Sequence, residues 1–307
     1  MSPKPSAASK KPSAASKKPS APLSEYAPAK VNLTLAVLGR RADGYHTLES
    51  LVAFARLRDR LTFHPGEALE LTVRGPTSAA SGATADNLVL KAARAAAAAI
   101  PGLTLGRFHL TKNLPVAAGL GGGSADAAAA LRLLARANGL ALDDARLLKA
   151  ARQVGADVPV CLDPRPRVMR GIGERLSSPI ELPQLAAVLV NPGVALPTGE
   201  VFAQLRTARP KRGHRARLGN IPREHDALLA FLASGANDLE PAAIALAPAV
   251  GKVLSALRSS PGCRLARMSG SGATCFGLFA SSRAATSAAR KLTASYPRWW
   301  VRSTFLG

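Results

Sequence analysis

The run PVAAGLGGGSADAA, at residues 115–128, places four glycines between a segment with strand character and one with helix character. Glycine lets backbone N–H groups approach an oxygen-rich ligand, and the N-terminus of the following helix offers unpaired donors and a positive dipole end. The run lacks the Gly-Lys-Ser/Thr of a Walker loop, and Ser124 replaces the last glycine of GxGxxG. The sequence therefore predicts a phosphate-binding loop of another kind, with a tight packing turn as the alternative.

Three more segments accompany this loop, and together the four resemble the GHMP small-molecule kinases. The segments are PAKVNLTLAVLGRRADGYH at residues 28–46, GADVPV at 155–160 and SGSGAT at 269–274. In this order and spacing they are similar to the branch of that family whose members phosphorylate a cytidine diphosphate derivative of methylerythritol. The resemblance covers residues 25 to 305, approximately.

The resemblance implies transfer of a phosphoryl group from ATP to the 2-hydroxyl of the methylerythritol unit, a step of non-mevalonate isoprenoid biosynthesis. A tertiary alcohol is a poor nucleophile, so a carboxylate that accepts its proton and a nearby cation are expected. Asp157 and Lys30 match the family's catalytic pair. Without the other motifs, Asp157 would be interpreted as a turn aspartate and Lys30 as a solvated strand residue.

The resemblance also implies an ATP site around the glycine loop. Its expected residues are Asn87, Pro115, Val116, Ala117, Ala118, Gly119, Leu120, Gly121, Gly122, Gly123, Ser124 and Ala125. Ser124 is predicted to open the helix, where its hydroxyl caps that helix or faces phosphate oxygens and Mg²⁺. Asn87 either caps a helix or lies near the adenine. Asp126 is predicted to be a surface acid that complements the helix dipole, and no protein ligand of Mg²⁺ is predicted.

A substrate site follows from the same resemblance, with Asn32, Tyr45, His46, Phe202, Ser271 and Gly272 as its expected residues. Tyr45 and Phe202 are expected to hold the cytosine between their rings, while His46 bonds its edge. The alternative interpretation, without a substrate role, is that Tyr45 and Phe202 are core aromatics and that His46 is a partly exposed residue of a strand. The SGSG sequence at 269–272 is expected to add backbone donors or to form a simple turn.

Mixed strand and helix patterns must position these residues. The patterns predict strands at 31–37, 45–54, 61–63, 69–73, 108–111, 186–190, 273–279 and 299–303. They predict helices from a cap at Thr84, Asp86 or Asn87 to Ile100, over 124–137, from an Asp143 cap to Val154, and over 198–205, 226–232, 249–259 and 283–295. Because no steady βαβ rhythm appears, the predicted class is α+β, and the resemblance implies two domains with the active site in the cleft between them.

Three segments are predicted along the chain. Residues 1–22 repeat KPSAASK and are predicted to be a disordered basic tail, because proline recurs and large apolar residues are missing. The two prolines of DPRP, at 163–166, predict a boundary between an N-terminal domain at 23–165 and a C-terminal domain at 166–307.

The composition limits the partners. Lys and Arg number 41 against 19 Asp and Glu, so the net charge of +22 favours anionic partners, either phosphorylated small molecules or nucleic acid. Aromatic residues make up only 4%, which argues against a stacking platform for single strands. A basic cluster at 206–217 is interpreted as a solvated loop. We expect a small-molecule substrate and no specific nucleic acid.

The cellular setting is predicted from the cysteines and the apolar runs. Three widely spaced cysteines support neither a disulfide framework nor a zinc site, so a reducing cytoplasm is expected. No apolar run is long enough to span a membrane. Two alternative functions remain open: another kinase of the family, acting on a mevalonate derivative, homoserine or a sugar, and a basic nucleic-acid-binding protein.

Overall fold

The computed structural model describes residues 21–205 and 218–307. All but the last two residues of the predicted tail, and the whole basic cluster at 206–217, lie outside this part of the chain. Among the described helices, none is both long and apolar enough to cross a membrane.

One long strand organises the first half of the chain. Strand β3 (His46–Pro65) has 20 residues. Besides one bridge to a strand at the end of the chain, it pairs antiparallel with four strands within residues 23–171. These are β1 (Leu23–Asn32), β2 (Ala36–Arg40), β5 (Gly106–Thr111) and β6 (Arg167–Gly171). Strand β4 (Glu70–Arg74) lies parallel to β5, and the short β7 (Arg175–Leu176) extends from β6.

The second half adds four antiparallel strands to the same sheet path. They are β8 (Leu185–Asn191), β9 (Cys263–Met268), β10 (Cys275–Phe279) and β11 (Trp300–Leu306). Strand β11 joins the halves, since Leu306 pairs with Ala55 of β3 while the rest of β11 pairs with β8.

Helices cover the sheet and close three apolar cores. The first half contains α1 (Leu88–Ala99), α2 (Gly122–Ala137), α3 (Ala145–Val154) and α4 (Val158–Leu162). The second contains α5 (Thr198–Gln204), α6 (His225–Ser234), α7 (Glu240–Leu246), α8 (Pro248–Arg258) and α9 (Ser282–Ser295). One core fills each half, and a third, which includes Leu33, Leu51, Leu189 and Phe276, lies between them. This shared core fixes the walls of the cleft.

The α+β class is confirmed, but several predicted elements are wrong. The strands predicted at 45–54 and 61–63 are one strand, and the strand predicted at 31–37 is divided between β1 and β2. No strand was predicted over residues 55–60, yet β3 continues through them, with Arg56, Arg58 and Arg60 exposed to solvent and Asp59 buried. Helices α4 and α7 and strand β9 were not predicted. Asp144, rather than Asp143, caps α3 by accepting a hydrogen bond from the Arg146 amide.

The predicted domain boundary at 163–166 stays a prediction. Strand β6, which follows it, pairs with β3 from the first half. Main-chain pairing therefore crosses that point of the sequence.

Candidate active site

A cavity of about 1140 Å³ opens between the glycine loop, the ends of β1 and β3, helix α5 and the turn at 269–272. Most of the predicted site residues line it. They are Lys30, Asn32, Tyr45, His46, Asn87, Val116, Ala117, Ala118, Gly119, Gly121, Gly122, Gly123, Ser124, Asp157, Phe202 and Ser271. Four predicted residues are absent from its lining: Pro115, Leu120, Ala125 and Gly272. The side chain of Leu120 packs in the shared core, and the Gly272 amide donates a hydrogen bond to the Ser269 carbonyl within its own turn.

Lys30 and Asp157, which both line this cavity, form an ion pair. The Lys30 Nζ lies 2.7 Å from the Asp157 Oδ2, and the lysine is almost fully buried whereas 35% of the aspartate side chain is exposed. Asp157 precedes α4 but its side chain makes no capping bond, so the carboxylate is directed to the lysine and the cavity. A buried cation thus holds a carboxylate that a ligand can still reach.

The N-terminus of α2 lies beside this pair. Gly121 has φ of 60°, and a Cβ on it would lie 3.3 Å from the Lys30 side chain, so a residue with a side chain would crowd the lysine. No described residue accepts from the amides of Gly122, Gly123 and Ser124. These free N–H groups and the helix dipole form an anion site of the kind that holds phosphate.

Two predictions about α2 are wrong. The helix begins at Gly122, with Gly121 as an N-cap that has no side chain, so Ser124 lies inside the first turn and does not cap the helix. Asp126 is not a surface acid, because only 2% of it is exposed and its Oδ2 lies 2.7 Å from the Lys112 Nζ.

The turn at 269–272 holds the glycine loop from the other side. The Ser269 hydroxyl donates to the Gly119 carbonyl at 2.9 Å, and the Thr274 amide donates to the Ala118 carbonyl at 3.1 Å. The same hydroxyl accepts a hydrogen bond from the backbone amide of Asn32. Gly119, with φ of 74°, leaves no space here, since a Cβ on it would lie 2.4 Å from the Ser269 carbonyl oxygen.

Two asparagines in the wall combine structural and ligand-facing atoms. Asn32 donates from Nδ2 to the Ser50 hydroxyl, and its buried Oδ1 has no partner among the described residues. Asn87 accepts from the Val89 amide with Oδ1 and so caps α1, which confirms the capping interpretation. The free Asn32 oxygen suits a ligand hydroxyl.

Aromatic rings also line the cavity. His46 stacks on Phe202 with ring centroids 5.0 Å apart, and Tyr45 stands exposed next to His46 in the chain. Partial burial lowers the pKa of His46, and the nearby charge of Arg40 lowers it further. A neutral imidazole can donate and accept one hydrogen bond each, as the edge of a heterocyclic base requires.

A buried triad of Lys112, Asp59 and Asp126 was not predicted, and Lys112 and Asp126 also line the cavity. The Lys112 Nζ lies 2.5 Å from the Asp59 Oδ2 and 2.7 Å from the Asp126 Oδ2. Asp59 Oδ1 also accepts from the Asn113 and Leu114 amides. Burial raises the pKa of the Asp126 carboxyl to about 8; the charge of Asp59 adds to this and that of Lys112 opposes it. The sequence held one signal for this triad. Buried and exposed residues alternate along β5, and continuing that alternation by one residue places Lys112 on the buried side.

The described residues contain no cluster of three His, Cys, Asp or Glu side chains that could hold a metal ion. Mg²⁺ in nucleotide sites commonly needs only one or two protein oxygens, with phosphate oxygens and water completing its shell. The Ser124 hydroxyl in the first turn of α2 fits that requirement.

Comparison with known proteins agrees with this geometry. The GHMP kinases N terminal domain matches residues 87–163, and the GHMP kinases C terminal domain matches residues 220–298. The chain therefore belongs to the GHMP kinase family.

Within that family the chain is similar to the 4-diphosphocytidyl-2-C-methyl-D-erythritol kinases. The enzyme from Methylobacterium radiotolerans is 59% identical over 92% of this chain and 99% of the relative. The one from Xanthobacter autotrophicus is 57% identical over 91% of this chain and 97% of the relative.

Solved structures give the same result. A crystal structure of 4-(cytidine 5'-diphospho)-2C-methyl-D-erythritol kinase has a TM-score of 0.74 at 35% identity, covering 93% of this chain and 99% of that one. Homoserine kinase from Cytophaga hutchinsonii has a TM-score of 0.67 at 16% identity, covering 95% of this chain and 97% of that one, and shows the fold alone.

Substituting Gly119 should disturb the loop much more than substituting Gly122. Gly119→Ala places a Cβ against the Ser269 carbonyl at a positive φ, whereas the Cβ of Gly122→Ala meets only ordinary contacts at 3.6 Å or more. We expect Gly119→Ala to lower nucleotide affinity at least tenfold, measured by calorimetry, and Gly122→Ala to cause a much smaller loss. Equal affinities in the two variants would contradict this account of the loop.

The triad should give the free energy of unfolding a pH dependence that Asp126→Asn removes. The pKa of Asp126 in the folded protein, about 8, lies above the ordinary aspartate pKa of 3.8 that applies to the unfolded chain. The stabilising contribution of this group is therefore complete below pH 3.8 and is lost as the pH rises toward 8. Urea denaturation at several pH values should show Asp126→Asn becoming steadily more stable relative to the wild type between pH 4 and 8. A constant difference would show that Asp126 does not titrate in this range.

Proposed function

We propose that this protein transfers the γ-phosphoryl group of ATP to the 2-hydroxyl of 4-diphosphocytidyl-2-C-methyl-D-erythritol. The observation that carries the proposal is the Lys30–Asp157 pair, which lies next to the glycine loop in a cavity that Tyr45, His46 and Phe202 also line. The names of relatives that are 54–59% identical support this substrate. The cavity exceeds the usual volume of a single ligand site and suits two ligands side by side.

Asp157 is the proposed general base. Its exposed carboxylate accepts the proton of the 2-hydroxyl while that oxygen forms a bond to the γ-phosphorus, the bond from this phosphorus to the bridging oxygen breaks, and ADP leaves. Lys30, 2.7 Å from the carboxylate, holds it in place and stabilises negative charge on the attacking oxygen and the transferring group. Neither side chain needs to move far to act.

The glycine loop is the proposed site for the ATP phosphates. The free amides at the start of α2 bind the phosphate oxygens without reorganising, because Gly119 and Gly121 already fix the loop. Bound Mg²⁺ would neutralise charge on the phosphates, held by the Ser124 hydroxyl together with phosphate oxygens and water. Asn87 also lines the cavity and is the proposed contact of the adenine.

The aromatic part of the lining is the proposed cytosine site. The His46–Phe202 stack gives a flat wall and Tyr45 an exposed ring, and we propose that the base binds between Tyr45 and Phe202 with His46 bonding its edge. In the structure His46 itself covers Phe202, so the base must displace or extend that stack. The three free cysteines support a reducing compartment for the enzyme.

Other substrates of the family are less well supported. The homoserine and mevalonate kinases with similar structures are only 10–17% identical to this chain, a level at which only the fold is shared. The decisive experiment measures ADP release with 4-diphosphocytidyl-2-C-methyl-D-erythritol, mevalonate and homoserine in parallel. Turnover with mevalonate or homoserine, and none with the cytidyl compound, would overturn the proposal.

Asp157→Asn should lower kcat by roughly 10² to 10⁴ with little change in nucleotide affinity, because it removes the proton acceptor and keeps the volume. Asp163→Asn is the matched control, since Asp163 is similarly exposed (39% against 35%) and paired with arginines outside the cavity. We would measure kcat, the affinity for an ATP analogue and the melting temperature of both variants. A kcat for Asp157→Asn above half the wild-type value would place the base elsewhere.

Tyr45→Ala should raise KM for the cytidyl substrate and leave KM for ATP nearly unchanged. Stacking of a base on an aromatic ring contributes about 1–3 kcal/mol, so we expect an increase of roughly 5- to 100-fold. Tyr26→Ala is the control, because Tyr26 is also exposed but lies outside the cavity. An equal rise for both substrates, or a rise for ATP alone, would refute the cytosine assignment.

A further inference from the structure

The sheet of the first half has a face that no described helix covers. Strands β1, β3, β5 and β4 lie side by side, and α1 and α2 pack on the apolar side of this sheet. Alternate residues of the same strands point the other way and are exposed or half-buried. The register aligns them in rows, one of which runs Tyr26, Arg60, Thr111 and Arg74.

This outward side carries a concentrated positive charge. We call it the basic face, and it comprises Arg58, Arg60, His64, Arg74, Arg107 and His109. Glu70, opposite Arg107, is the single acid that these strands place there. Three other acids belong to the four strands. Glu25 and Asp59 alternate to the helix side, where Arg132 and Lys112 neutralise them, and Glu49, near the start of β3, pairs with Arg170.

The four arginines of the basic face lack carboxylate partners among the described residues. Arg60 makes only a long hydrogen bond to the Ser24 hydroxyl, and Arg58 lies over the Tyr26 ring, 3.5 Å from its centre. Two residues before Arg58 on β3, the guanidinium group of Arg56 lies over the Phe305 ring, 4.9 Å from the ring centre. Unpaired guanidinium groups on an open surface are available to anions of another molecule.

The shape and charge of the face exclude several partners. A second copy would bring arginines against arginines at a two-fold contact. A small anion needs a concave site, and Arg58 lines a second cavity of about 1110 Å³ at one border of the face, but Arg60, Arg74 and Arg107 line neither this cavity nor the first. A lipid surface would call for exposed apolar anchors, and Tyr26 is the one large exposed hydrophobic side chain among the described residues of this face. A flexible chain of phosphates can spread over such a surface.

We propose that the basic face binds single-stranded nucleic acid through its phosphates, without reading the bases. Since the face offers one aromatic ring, stacking adds little and the binding is electrostatic. Binding is therefore sensitive to salt and indifferent to sequence, and it is independent of phosphoryl transfer because none of these residues lines the catalytic cavity.

The test is fluorescence anisotropy of a labelled uridine 20-mer with the full chain over a range of salt concentrations. The face variant is Arg60→Gln/Arg74→Gln/Arg107→Gln. The slope of log K against log salt is negative, and each phosphate contact contributes roughly 0.7 to its magnitude. Loss of three contacts should therefore reduce that magnitude by about 2. The control variant is Arg283→Gln/Arg290→Gln/Lys291→Gln, which removes the same charge from exposed positions on α9.

The control variant should keep the wild-type slope, and both variants should keep the wild-type kcat with the kinase substrates. Equal losses in the two variants would mean that overall charge alone drives binding, and a face variant that binds like the wild type would place the site elsewhere. In parallel, vesicles with anionic headgroups serve as a second probe. Loss of vesicle binding by the face variant, with oligonucleotide binding intact, would identify a membrane surface as the partner and overturn the proposal.

Discussion

The glycine loop can lie where it does only because residues 119 and 121 have no side chains. Gly121 contacts Lys30, and Gly119 fits against the carbonyls of the turn at 269–272. The loop is thus held between the lysine of the ion pair in the first half and a turn from the second. Since a Cβ at either position would strain the loop or crowd its neighbour, the distance between the loop amides and the Lys30–Asp157 pair depends on glycine at both positions.

Carboxylates pair with both buried lysines of the cavity, which separates these lysines from the arginines of the basic face. Lys30 pairs with Asp157, and Lys112 pairs with Asp59 and Asp126. The excess positive charge of the chain therefore does not reside on these two lysines. They fix the positions of carboxylates, while the arginines of the basic face point outward and are available to anions.

Local patterns predicted the glycine loop, the Asn87 cap and most helices, because each depends on a few neighbouring residues. Ser124 and Asp126 were misassigned, since the start of α2 is set by the left-handed Gly121 and the burial of Asp126 by a lysine on another strand. The length of β3 was missed for a related reason. Residues 56–60 contain four charged side chains, a composition that does not indicate a strand. They form one because Asp59 points inward to Lys112 on another strand while the arginines point outward.

The pairing of β3 with β11 also determines when the chain can fold. Ala55 finds its partner Leu306 about 250 residues later in the sequence. The part of β3 around Ala55 therefore lacks its partner on that side while the ribosome synthesises everything in between. A topology with such distant contacts folds slowly, so the nascent first half is expected to depend on chaperones until the second half emerges.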